Sequence, residues 1–274
     1  MESESGPARI VRDVIDPARA DALHATLGAG GEAPRVGMHL PPFWHHIYFW
    51  DCVPERGLGR DGHPRTGGLI PDTGFPHRMW AGGTVNWYLP AVIGLEAEKS
   101  STVTRCENKT GRSGAFAIVT LRHDIRQNGR KCIVETQDLI YRAERMRQRR
   151  EPDPAPTDET LSRSHRFSTV MLFRYSAVTF NGHRIHYDPD FAISREGYPG
   201  LVVHGPLLAL LLTQFAEGIL GKLSRFRFRA ISPVMHNEIV DACAREDSDR
   251  LTLWVRGPDG RLCMSAEALP AAPA

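Results

Sequence analysis

The stretch Leu201–Leu220, LVVHGPLLALLLTQFAEGIL, decides the fold. Gly205 and Pro206 stand where a helix begins. A proline in the first turn lacks only an N–H that has no intrahelical acceptor anyway, and its φ is already helical. Apolar residues then fill most positions to Leu220, with Gln214 and Glu217 as the strongly polar interruptions. A helix apolar on nearly every side must be wrapped on most of them. It cannot be a membrane span, because about 15 residues of helix reach only about 22 Å and a bilayer core needs about 30 Å.

The wrapping material lies on both sides in the sequence. Downstream, strands are expected over Leu223–Ala230, His236–Ala244, Leu251–Val255 and Leu262–Ala266, with a turn at Pro258-Asp259-Gly260. A further strand is expected over Phe167–Phe180. Upstream, Ser100–Asn108, Gly114–Arg126 and Lys131–Tyr141 are rich in Thr, Val and Ile. Ala115, Ala117, Val119 and Leu121 alternate with polar residues, and Asn128-Gly129 is a type I′ hairpin signal. Before these strands come a helix over 7–27, an aromatic lining segment at Pro41–Trp50 and a long Gly/Pro-rich loop from Pro54 to Pro76. A short buried helix follows at Met79–Ile93, after Gly82-Gly83.

Both halves thus read as an irregular segment, a buried helix and antiparallel strands. The expected class is α+β, a double hot dog in which each half is a curled sheet around a central helix. The boundaries are 1–144 for a degenerate first unit, 145–164 for a linker and 165–274 for the working unit. The linker reading rests on the four arginines within 145–150 and the alternating Pro152, Pro154 and Pro156. The basic cluster Arg145–Arg150 has no interleaved aromatic platform and reads as the end of a solvated linker.

Composition narrows the function classes. Lys and Arg total 34 against 32 Asp and Glu, a net charge of +2, with 41% hydrophobic residues. That excludes a globally basic nucleic-acid binder and a chain disordered throughout. The five cysteines form no CxxC pair, and the acidic start MESESGPARIVRDV has no apolar core of a signal peptide. The expectation is a cytoplasmic protein with no disulfides and no membrane or nucleic-acid partner.

The chemistry concentrates in Tyr175–Asp188, YSAVTFNGHRIHYD, and in Gly200–Leu207, GLVVHGPL. The two segments resemble the MaoC-like hydratase/dehydratases. In that family an acidic residue stands five positions before a histidine, and a second acidic residue two positions after it. Here those positions are Asn181, His186 and Asp188, and the family's His-Gly helix start corresponds to Val203-His204-Gly205. Phe226–Pro233 (FRFRAISP) is similar to the strand after the family's central helix. The form TFN-GHRIHYD, together with His63–Gly83, resembles a double-hot-dog subgroup. That subgroup contains mitochondrial-type 3-hydroxyacyl thioester dehydratases and hydratases of mesaconyl-CoA and itaconyl-CoA.

The resemblance implies reversible addition of water to a short enoyl-CoA. The alternatives are a dehydratase acting on acyl carrier protein, a non-catalytic acyl-CoA binder, and a thioesterase. His186 serves as base and acid. The enolate-oxygen donor is Gly205 N–H, or alternatively His204, at a helix start. Asn181, an amide that cannot accept a proton at neutral pH, positions water. His183, Asp188 and His204 are secondary candidates. Arg184, Tyr175, His45, Arg65 and Arg78 are candidate substrate contacts, and the polar, basic pocket candidates Arg65, His77, Arg78, His45 and His46 point to an anionic short acyl group. No cofactor is expected, CoA being part of the substrate. A zinc site at His183 and His186 is rejected because a third ligand is missing nearby. Two chains are expected to pair as a dimer of double hot dogs.

Overall fold

The computed structural model describes residues 8–28, 30–111, 114–143 and 151–272. Its frame is one antiparallel sheet of ten strands: β1 (Arg9–Val14), β2 (His77–Trp87), β3 (Glu96–Gly111), β4 (Gly114–Gln127), β5 (Arg130–Arg142), β6 (Leu161–Arg166), β7 (Leu223–Ala230), β8 (Ile239–Glu246), β9 (Leu251–Arg256) and β10 (Leu262–Pro270). The order across the sheet is β1-β3-β4-β5-β2-β7-β10-β9-β8-β6. Read outward from the centre, both halves follow the same path. The units meet where β2 pairs with β7, Gly82 opposite Arg229 through Asn86 opposite Arg225. The double hot dog expected from the sequence is the observed architecture, with the apolar central helix, among the described residues, in the second half.

Among the described residues three α-helices accompany the sheet: α1 (Pro17–Leu27), α2 (Thr169–Val178) and α3 (Gly205–Leu220). The long apolar helix forms as expected. Leu207, Leu208, Ala209, Leu210, Leu212, Thr213, Phe215 and Ala216 are buried, and α3 packs against β7, β8, β9 and β10. At about 25 cal/mol per Å² of apolar surface, each buried leucine contributes about 2 kcal/mol, which makes α3 the anchor of the second half. Among the described residues no helix is long and apolar enough to cross a membrane.

Several local expectations are corrected. Met79–Ile93 is not a helix, so the first half has no counterpart of α3 among the described residues; His77–Trp87 is strand β2. Gly82 and Gly83 are the reason for the close fit, not a turn. A Cβ on Gly82 would lie 2.6 Å from Phe228 O, and one on Gly83 2.1 Å from Thr136 O, so the glycines let β2 fit between β5 and β7. Phe167–Phe180 is mainly helix α2. Ser168 caps it by accepting Met171 N–H at 3.1 Å, and Leu172, Tyr175 and Ser176 are buried at helical spacing. Residues 9–14 are strand β1, and the helix starts only at Pro17, capped by Asp16 and ended by left-handed Gly28.

Residues 161–164, expected in the linker, open edge strand β6, which pairs with β8. The cluster 145–150 lies outside the described residues. The hairpin signal held: Asn128 and Gly129 both have positive φ, 49° and 73°. Cys132, Cys243 and Cys263 are buried, Cys52 and Cys106 are exposed, and all five are free thiols.

Candidate active site

The site is built where the chain leaves α2 and re-enters at α3. After Val178, Phe180 takes a left-handed φ of 52°, uncommon for an aromatic residue. Its ring stacks on Trp50 with centroids 5.1 Å apart, and Trp50 Nε1 donates to Val178 O. That bend turns the chain into Asn181-Gly182-His183 and the 3-10 turn Arg184–His186.

His186 is buried. Its Nδ1 lies 2.8 Å from Val202 O, so this nitrogen carries the proton and donates. Nε2 is thereby left with its lone pair, as a base requires. Burial, only partly offset by the Val202 contact, lowers its pKa to about 3. The imidazole therefore rests neutral at neutral pH. Negative charge developing nearby would strengthen it as a base.

His204 stands at the N-cap position of α3 without a capping hydrogen bond from its side chain, and stacks on His186, with centroids 3.6 Å apart and planes 20° apart. Its Nε2 meets Ser176 Oγ at 2.8 Å, and Tyr175 packs edge-on against it at 4.9 Å. Gly205 follows. Its N–H belongs to the first helical turn, which has no intrahelical acceptors and is the positive end of the helix dipole. Trp80 fills the space over its Cα, since a Cβ there would come 2.8 Å from Trp80 Cε3. His186, His204, Gly205 and Tyr175 thus converge, and His183 touches His186 edge-on at 5.2 Å.

Other candidates lie elsewhere or are occupied. Asn181 Oδ1 accepts the backbone N–H of His183 at 3.0 Å, closing its own turn. Asp188 binds Arg184 at 2.7 Å and accepts Phe191 N–H. The Arg184 guanidinium also reaches Arg60 O and lies over Phe191. Arg65 Nε donates to Leu58 O within the long loop. His45 is buried in the first half, its Nε2 3.1 Å from Glu135. His46 meets the same carboxylate at 2.8 Å, and the two imidazoles hold Glu135 ionised against its burial.

Sequence reasoning missed a contribution from the first half. The long loop brings Asp61 and His63 to His183; His63 and His183 have ring centroids 4.2 Å apart. Burial keeps both imidazoles below their ordinary pKa, joined at His63 by the Arg78 charge and at His183 by the neighbouring His63 and His186. The available signal was a repeated tripeptide, Asp61-Gly62-His63 and Asn181-Gly182-His183. The premise that no third histidine lies near His183 is therefore corrected. Asp61, His63 and His183 bring possible ligand atoms within 4.8 Å, as do His45, His46 and Glu135.

The model of the family described as hydroxyacyl-thioester dehydratase type 2 matches residues 43–236. Mesaconyl-C(4)-CoA hydratase of Chloroflexus aurantiacus is 40% identical over 95% of this chain and 94% of its own. A mitochondrial hydroxyacyl-thioester dehydratase type 2 of Schizosaccharomyces pombe is 26% identical over 90% of this chain and 92% of its own. In fold, a MaoC-like dehydratase matches with a TM-score of 0.73 at 12% identity, covering 99% of both chains. HtdX of Mycobacterium tuberculosis matches with a TM-score of 0.66 at 19% identity, covering 96% of this chain and all of that one. With a full-length relative at 40% identity and the family model spanning both halves, this chain belongs to the hydroxyacyl-thioester dehydratase type 2 family.

Proposed function

We propose that the protein is a hydro-lyase that adds water reversibly across the double bond of a short dicarboxylyl-CoA, mesaconyl-C4-CoA foremost. The observation that carries this reading is the 40% identity, nearly end to end, to a mesaconyl-C(4)-CoA hydratase. The site supports it chemically. A neutral His186 with a free Nε2 lies one stacked ring from the helix start that offers Gly205 N–H. As water attacks Cβ, His186 takes its proton. The electron pair of the double bond moves toward the thioester oxygen, where Gly205 N–H and the helix dipole stabilise the enolate.

Arg78, whose charge is felt by His63 and His183, is the candidate partner for the free carboxylate of the acyl group. In the same reading the protein is cytoplasmic, pairs with a second copy and uses no cofactor. The test is incubation with mesaconyl-C4-, itaconyl- and crotonyl-CoA, following loss of the enoyl absorbance with free CoA measured in parallel. Fastest loss with mesaconyl-C4-CoA is expected. Release of free CoA would indicate a thioesterase, and no change on any thioester would overturn the enzymatic reading.

A further inference from the structure

The motif at 181–188 leaves its histidine without a carboxylate. Asn181 is an amide engaged in its own turn, both Asp188 oxygens are engaged by Arg184 and by Phe191 N–H, and His186 Nδ1 is spent on Val202 O. A carboxylate does reach the row of imidazoles, from the other half of the molecule. Asp61-Gly62-His63 and Asn181-Gly182-His183 are twin turns. In each, the side-chain oxygen of the first residue accepts the N–H of the histidine, at 3.1 Å and 3.0 Å.

The turns dock glycine to glycine. A Cβ on Gly62 would lie 1.9 Å from Gly182 O, Gly62 has φ of +89°, and Arg184 N–H donates to Asp61 O at 2.9 Å. This contact fixes His63 against His183. It also places Asp61 Oδ2 3.4 Å from His63 Nδ1, with Arg78 as the opposing charge nearby.

We propose that the first half supplies the carboxylate the motif lacks, with His183 as a second proton carrier and Asp61 and His63 as positioning residues acting through it. The inference rests on the hydratase reading. An O–H bond of water breaks as the C–O bond forms at Cβ, and the proton goes to His186 Nε2. It passes to the His183 ring, whose transient positive charge the Asp61 carboxylate stabilises, the ligand atoms of Asp61, His63 and His183 all lying within 4.8 Å of one another. It then leaves His183 to form the C–H bond at Cα as the enolate collapses. One water is consumed and no net proton is gained or lost.

The test is steady-state hydration by the full chain carrying Asp61→Asn, His63→Gln, or both. Asp61→Asn keeps the turn's acceptor and removes only the charge. Each single variant should lower kcat by about 100-fold, with KM for the enoyl-CoA changed less than about threefold. The double variant should be no slower than the worse single one, because the pair acts as a unit. Either single variant with kcat within about twofold of the parent overturns the proposal. So does a loss in both variants that tracks a lowered thermal midpoint, which would make the turn scaffolding. Failure of the unsubstituted chain to hydrate any enoyl-CoA is a separate result and refutes the hydratase reading itself.

Discussion

The rings of His186 and His204 lie face to face, 3.6 Å between centroids, at the entry to α3. Two imidazoles that close cannot both carry charge at low cost, so the stack favours a neutral His186, the proposed base. His186→Ala should reduce hydration by about 1,000-fold or more, the scale of a lost general base that also acts as acid. His204→Phe keeps a flat ring over His186 and should retain far more activity than His204→Ala. The check is kcat of the three variants on one enoyl-CoA; equal losses at His204→Phe and His204→Ala would show that stacking is not what His204 provides.

Gly205 is constrained from outside the helix. Trp80, itself stacked on Phe228 at 4.6 Å, covers its Cα so closely that a methyl group would sit 2.8 Å from the indole. Gly205→Ala must therefore displace either the indole or the first turn of α3. A cost of about 1–3 kcal/mol in stability is expected, as for overpacking a core, together with a larger loss in kcat from misplacing the oxyanion donor. Pairing it with Trp80→Leu should recover stability. Chemical denaturation and kcat measured on the same samples separate the two effects.

The parts of this site that are local in sequence were legible; those brought together by topology were not. Gly205-Pro206 marked the start of α3, and the apolar run fixed its burial, because both signals are carried by neighbouring residues. Asn128-Gly129 located a hairpin for the same reason. Strand β2 read as a helix because Gly82 and Gly83 look like a turn until β7 is known to press against them. Helix α2 read as a strand because Val170, Phe173, Tyr175 and Val178 are strand-favouring residues. Its helical period shows in which residues are buried, Leu172, Tyr175 and Ser176. Asp61 and His63 stand more than a hundred residues from His183 in sequence, and only the docking of the two halves brings them together.

The docking itself is testable. Gly62→Ala adds a methyl group where 1.9 Å separates it from Gly182 O, at a positive φ that alanine avoids. The loop must lift from the catalytic turn. Activity should fall by about 100-fold or more, as misplacement of a positioned group produces. Global stability should change by only about 1–2 kcal/mol, because the loop carries little of the buried core. Limited proteolysis should cut the variant between Pro54 and Pro76 faster than the parent. Unchanged cleavage with lost activity would mean the loop stays docked and the defect lies elsewhere.

Acid should destabilise the fold well above the usual carboxylate range. Burial lowers the pKa of His63, His183 and His204, and brings His123 to about 4 and His186 to about 3. Unfolded, each titrates near 6.5. Below that pH the unfolded chain binds protons that the native chain refuses, so stability rises with pH across this window. It is fully present above about pH 7 and is lost progressively as pH falls from about 6.5 toward the folded values, by at most about 1.4 kcal/mol per pH unit for each histidine. His123 offers a clean check, because it lies on β4, hydrogen-bonded to Ser101 at 2.7 Å and apart from the catalytic turn. His123→Gln should flatten the fall in urea midpoint between pH 6.5 and 4.5 by about one proton's worth while leaving kcat near that of the parent. A parent midpoint constant from pH 7.5 to 4.5 would contradict the neutral, buried state assigned to these imidazoles.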